Sequence, residues 1–177
     1  MARFEVPEGW VAQAYRFALD PTPAQVSMLE SHCGAARFVF NHMLGVVKAN
    51  LDQRSAERSY GGAEQDLTLA QGWSLAQLRK TWNQRKDEVA PWWEANSKEA
   101  YNSGLDALAR ALQNWGASRA GERAGTAVRF PKFKSKHRRA RSVRFTTGAI
   151  RIEADRHHVV LPRIAGSDPA SGYLAES

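Results

Sequence analysis

The sequence predicts an α+β protein, and three observations carry that reading. Val11 to Leu19 alternates with period two, the middle of the chain repeats its apolar residues at intervals of three and four, and after Arg141 the period returns to two. Strand, helices, strands is therefore the expected order. With 43% hydrophobic and 24% charged residues, the chain has the composition of a folded globular protein.

In Val11 to Leu19, Val11, Gln13, Tyr15, Phe17 and Leu19 fall on one side and small or basic residues on the other. Asp20 and Pro21 end this strand. Thr22-Pro23-Ala24-Gln25 then supplies an N-cap hydroxyl, a proline at the first helical position and the glutamine of a capping box, so a helix starts at Pro23. Val26 and Leu29 are expected on its inner face. Gly34 is expected to break it, before a second helix with the inner stripe Ala36, Phe40, Met43, Val47 and Leu51 and with Arg37, Asn41 and Lys48 facing outwards. This pair has the look of a helix-turn-helix, and a plain helical hairpin fits the spacing equally well.

Residues 52–72 are polar and irregular, with a turn at Tyr60-Gly61-Gly62. Ser74 and Gln77 form another capping box, followed by inward Leu75, Leu78, Trp82 and Val89 and a stop at Pro91. Trp92 and Trp93 read as core wedges. The longest regular stripe is Tyr101, Leu105, Leu108, Leu112 and Trp115, in a helix expected to begin at Ser97 and to be capped by Gly116. Lys98 and Asn102 share one of its faces, where a solvated surface is the simpler reading. Val143 and Phe145, Ile150 and Ile152, and Val159 and Leu161 are expected strands, the last two joined across the 153–158 loop. From about Ala165 the tail is small and polar, and disorder is expected.

Charge narrows the function. The chain carries +7, and the eight Lys or Arg residues between Arg129 and Arg144, with no carboxylate among them, put the excess in one window. Phe130 and Phe133 are interleaved with Arg129, Lys132 and Lys134, and Pro131 favours an extended backbone. Cations alternating with flat rings suit phosphate contact plus stacking on bases. A polyanionic partner, DNA or RNA, is therefore expected in preference to a membrane, because the run is no amphipathic helix. Cys33 is the single cysteine, which excludes an intrachain disulfide and fits a reducing cytoplasm.

Catalytic signatures do not assemble. His32, His42, His137, His157 and His158 show no zinc-site spacing and read as satisfied histidines. Asp66, Asp87, Glu88, Glu94, Glu99 and Asp106 fall mostly on expected helix exteriors, and no phosphate loop or nucleophile triad stands out. No cofactor and no metal are expected.

Taken together, YRFALDPTPAQ, GAARFVFNHML, KEAYNSGLDALARAL, RFPKFKSK, SVRFTTGAIRI and HHVVLP resemble the N-terminal half of TnpB, also called OrfB, the transposon-encoded RNA-guided nuclease family related to type V CRISPR effectors. The likeness runs from about Val11 to Arg163. It implies a discontinuous wedge-type β-barrel from 11–19 and 126–164, incomplete here, with a helical recognition domain, 20–125, inserted in it. The family's helix-turn-helix falls on 11–51, and 165–177 lies outside the pattern.

The resemblance also implies binding of a guide RNA and of duplex DNA at a short motif beside the target. Tyr60, Lys98, Asn102 and Thr146 match positions that face that duplex. Arg129, Lys132, Lys134 and Lys136 match a basic motif expected to grip nucleic-acid backbone, and Arg37, Arg138, Arg139 and Arg144 join them by charge. The family's RuvC-like nuclease domain and zinc ribbon have no counterpart in these residues. The expectation is thus a non-catalytic, cytoplasmic, nucleoid-associated binding fragment, with self-association through an open barrel edge. A regulator competing with intact copies and a module that completes a split nuclease are the alternatives.

Overall fold

A computed structural model describes residues 6–11, 13, 16, 18–136, 141–146, 150–154, 157–164 and 173–176. Its framework is three helices: α1 (Pro23–Ser59), α2 (Leu75–Val89) and α3 (Lys98–Arg119). Local chemistry sets all three starts. Thr22 Oγ1 accepts from the Gln25 amide while Gln25 Oε1 accepts from the Thr22 amide, Ser74 and Gln77 repeat that box, and Ser97 Oγ accepts from Glu99 N.

The largest departure from the sequence reading is α1. It runs unbroken for 37 residues, so Gly34 makes no turn and 23–59 is one helix. A glycine inside a helix costs about 1 kcal/mol relative to alanine. Breaking there would uncouple Ala35, Ala36, Val39 and Phe40, all buried on one face, and each large apolar side chain contributes about 1.5–3 kcal/mol. Packing wins over propensity. Because a Cβ at Gly34 would meet nothing within 4 Å, Gly34→Ala is expected to raise stability by about 0.5–1 kcal/mol. A urea titration reads this, and a loss instead would mean that a turn forms in solution. Gly116 likewise lies within α3, whose C-cap is Ala120; Gly121, with φ +74°, makes the exit.

The stretch 52–59, read as irregular, extends α1 with Lys48–Asp52 and Gln53–Glu57 pairs in place of an apolar stripe. Val26, expected inside, is exposed.

Val39, Met43 and Val47 of α1 meet Leu78 and Trp82 of α2 and Leu105, Leu108 and Leu112 of α3 in the main core. Trp82 lies between Tyr101, stacked at 5.2 Å, and the edges of Phe38 and His42. The order of contacts makes α1 and α3 parallel. His32 Nε2 accepts from the Ser97 amide at 3.1 Å while its Nδ1–H donates to the Met28 carbonyl at 2.8 Å, and farther along Gly104 sits against Ala36 and Val39. Trp93, half-buried, packs on this core, whereas Trp92 is 44% exposed, its ring centroid 5.1 Å from that of Phe38 in a T-shaped contact.

The β part is slight. Within the expected first strand, β1 is Leu19–Asp20, and four of the preceding positions lie outside the described residues. β2 (Arg151–Ile152) and β3 (His158–Val160) form the expected hairpin, Arg151 opposite Val160. β4 (Tyr173–Glu176) pairs antiparallel with both β3 and β1, giving the order β1-β4-β3-β2. The tail expected to lack structure thus contributes a strand through backbone pairing, which its composition does not advertise; its other residues lie outside the described set. Residues 141–146, which include the expected strand residues Val143 and Phe145, belong to no strand. A second apolar cluster, Leu161 and Ile164 with Met28, Leu29, Phe145 and Val159, joins this region to the start of α1. The described strands form an open four-stranded sheet, and a closed barrel is not among the described features.

Candidate nucleic-acid interface

The basic run begins as a strap, 128–136, that is neither helix nor strand and is laid across the bundle. Val128 N donates to Ser118 Oγ at 2.9 Å, and Phe130 sets its ring edge-on to Trp115 at 5.0 Å. Asn41 then clamps the strap from α1: its Nδ2 donates to the Lys134 carbonyl at 3.0 Å and its Oδ1 accepts from the Lys134 amide at 2.7 Å. The amide side chain thereby imitates a neighbouring strand. Pinned so, the strap points Arg129, Lys132 and Phe133 outwards. Phe133 is 58% exposed and free to meet a base, whereas Phe130, expected to do the same, is a core contact. The Lys134 ammonium lies 3.9 Å over the Phe40 ring, so this cation is held against the bundle.

Arg138 and Arg139 lie outside the described residues. Where the chain resumes, Arg141 pairs with Glu30, and Arg144 reaches Asp106 Oδ2 at 2.6 Å, an oxygen that Arg110 also holds at 2.8 Å. Asp106, placed by sequence on a helix exterior, is 5% exposed. Its position beside the Leu105 and Leu108 stripe and four residues before Arg110 was the available signal. Between the two legs of the run, α1 and α3 lies a cleft of about 610 Å³, on whose wall Arg37 and Lys136 stand.

Three of the four expected duplex-facing residues come together at the beginning of α3. Asn102 and Thr146 line one small crevice with Arg79, Glu99 and Arg144, and exposed Lys98 lies one turn before Asn102. Both crevice side chains are engaged: Arg79 Nε donates to Asn102 Oδ1 at 3.1 Å and Thr146 Oγ1 donates to Glu99 Oε2 at 2.9 Å. Tyr60 is elsewhere. It caps the far end of α1, about 40 Å beyond His32 at the helical rise, and is 91% exposed. The loop after it is stapled to α1 through Arg58–Glu64 at 3.0 Å, Arg54–Glu64, and Glu57 accepting from the Thr68 amide at 2.7 Å. Thr68, then Gln53, hold the Glu57 carboxyl below its ordinary range, and Arg58 does the same for Glu64. Between α1 and α2, His42 Nε2 is buried without a hydrogen-bond partner, unlike the satisfied histidine expected, and burial followed by the nearby Arg85 lowers its pKa.

Comparison with known proteins places this arrangement. Residues 11–55 match the OrfB/IS605 helix-turn-helix domain. Two proteins of Mycobacterium tuberculosis, from strains CDC 1551 and H37Rv and each named "Putative RNA-guided DNA endonuclease", are 44% identical over 171 residues, which takes in 93% of this chain. The chain is similar to the N-terminal half of TnpB-type proteins. It spans 35% of the length of each of these relatives.

The OrfB domain match covers β1 and most of α1, so what carries the helix-turn-helix designation is here a single continuous helix. Within it lie Arg37 of the cleft and Asn41 of the clamp. The TnpB-type likeness continues through the bundle, where Arg110 and Arg141 are cleft residues that the sequence reading did not single out, and Asp106, read as a helix-exterior carboxylate, holds Arg110 and Arg144. Among the described residues, no helix is long and apolar enough to cross a membrane.

Proposed function

We propose that this chain is the nucleic-acid-binding part of a TnpB-type protein, holding guide RNA and the DNA duplex beside the target, with cutting left to other parts of such a protein. The observation that carries this reading is the strap: its backbone is fixed by Asn41 while Arg129 and Lys132 face solvent. Fixed cations contact phosphates without the entropic cost of ordering a loop. In this reading Lys98, Asn102 and Thr146 read a short duplex motif, and Tyr60, some 40 Å along the bundle, meets another part of the nucleic acid. Arg138 and Arg139 add backbone contacts. Residues 11–19 and 126–164 belong to the wedge, and 20–125 to the recognition bundle. The exposed edge at Ile152 is where a further strand or a second copy pairs.

The experiment is a salt titration of binding. Four or more phosphate contacts give a log–log slope steeper than roughly −2.5. Arg129→Ala with Lys132→Ala is expected to make that slope shallower by about 1.5 and to weaken all sequences alike. A flat salt response of the parent chain removes the reading.

A further inference from the structure

Between α1, α3 and the two legs of the basic run lies the cleft of about 610 Å³, and its chemistry is one-sided. Its lining has six cationic side chains, three serines, no carboxylate and no aromatic ring. Two carboxylates contact these cations from outside, Asp106 shared by Arg110 and Arg144, and Glu30 at Arg141. A clear positive excess remains. Arg37 and Lys136 carry no ion pair among the described residues and stand on α1 and the strap respectively.

The floor is as informative as the walls. It is made by Ala36 and Gly104 at the point where α1 and α3 touch, with Ala107 alongside. Small floor residues beneath long cationic walls leave a trough. It continues into a second hollow of about 270 Å³ that shares Arg37, Lys136 and Arg141 and adds two serines of its own, Ser27 and Ser31, with Glu30, the partner of Arg141, on its lining. Together the two hollows have the capacity of a small-ligand site elongated along α1. A duplex about 20 Å across cannot enter a trough of this size, whereas one sugar-phosphate strand can. With no ring to stack on, the bases gain nothing there, and cations with hydroxyl donors recognise phosphodiester oxygens.

We infer that this cleft is a binding site for the phosphodiester backbone of a single nucleic-acid strand, independent of base sequence, with Arg37 and Lys136 as its two uncommitted cations. The inference rests on the nucleic-acid reading above and assigns one of its contacts to a defined place. Arg110, Arg141 and Arg144, already paired, shape the walls, Arg110 and Arg144 through Asp106 and Arg141 through Glu30.

The test is fluorescence anisotropy of the full chain with a labelled mixed-sequence single-stranded oligoribonucleotide, and with a duplex DNA of equal length. Arg37→Ala with Lys136→Ala is expected to weaken the single strand about tenfold, to make its salt slope shallower by about 1.4, and to leave the duplex within about twofold. Lys136→Ala alone, at an exposed position, is expected to cost about threefold, which keeps the test independent of folding at Arg37. Equal loss on strand and duplex, or no loss on the strand, overturns the cleft assignment. If Arg129→Ala with Lys132→Ala still weakens binding in that case, the broader reading stands without it. Displacement of the strand by inorganic phosphate at millimolar concentration, with a steep dependence on Arg37, would make the cleft a small-anion site and also overturn the inference. Failure of the parent chain to bind either nucleic acid overturns both.

Discussion

Gly104→Ala is expected to destabilise the protein by about 3 kcal/mol, a large part of the ~5–15 kcal/mol that holds a typical domain together. A Cβ at residue 104 would stand 2.2 Å from the Ala36 carbonyl oxygen and 2.5 Å from Val39 Cγ1. The first neighbour is backbone in the middle of α1 and cannot rotate away. Relief therefore requires α1 and α3 to separate, and that loosens Val39, Met43, Leu105 and Leu108 together, all of them almost inaccessible to water. The measurement is urea unfolding, with the midpoint falling at constant slope. A loss below about 1 kcal/mol would show that the helices slide past one another instead. Since residue 104 also floors the cleft, the strand affinity of any folded fraction should change with it.

The second large effect is expected at Asp106. Its carboxylate has a side-chain exposure of 7% and holds guanidinium groups that are 44% and 59% exposed. Removing one partner of a fully buried pair costs about 3–5 kcal/mol, but here both arginines can turn to water. Asp106→Asn is therefore expected to lower stability by about 1–2 kcal/mol. Binding should move the other way, because the variant removes a negative charge beside the cleft and leaves Arg110 and Arg144 unneutralised: affinity for mixed-sequence nucleic acid should hold or rise, with a salt slope no shallower than before. Loss of affinity beyond about tenfold would mean instead that Arg144 contacts phosphate only when Asp106 positions it.

What could be read from the sequence was what neighbours in sequence decide. The Thr22 and Ser74 capping boxes, the Ser97 cap, the stop at Ala90 before Pro91 and the stripe from Tyr101 to Leu112 all depend on residues within one or two turns. Gly34 and Gly116 misled because their local preference is worth less than the packing of the helices that contain them. The strap shows the opposite limit. Lys134 and Asn41 are 93 positions apart, and nothing in either segment announces the pair. The basic character of the interface was plain, yet which cations face outwards was not, because Phe130 and the Lys134 ammonium turn to the bundle and Asp106 claims Arg144. Family likeness supplied Lys98, Asn102 and Thr146 as a set, and three-dimensional packing puts Tyr60 at the other end.

The clamp between Asn41 and Lys134 also sets an order of assembly. The three helices find one another through contacts that close by Arg119, whereas the strap closes a loop of more than ninety residues back onto α1. Closing so long a loop brings an entropy cost with little apolar burial beyond Phe130 to offset it. The bundle is thus the early folding unit, and the strap a late one that docks on a finished surface. Its cations remain available to a polyanion throughout that interval, so nucleic acid can reach α1 and α3 before the strap completes the cleft's wall.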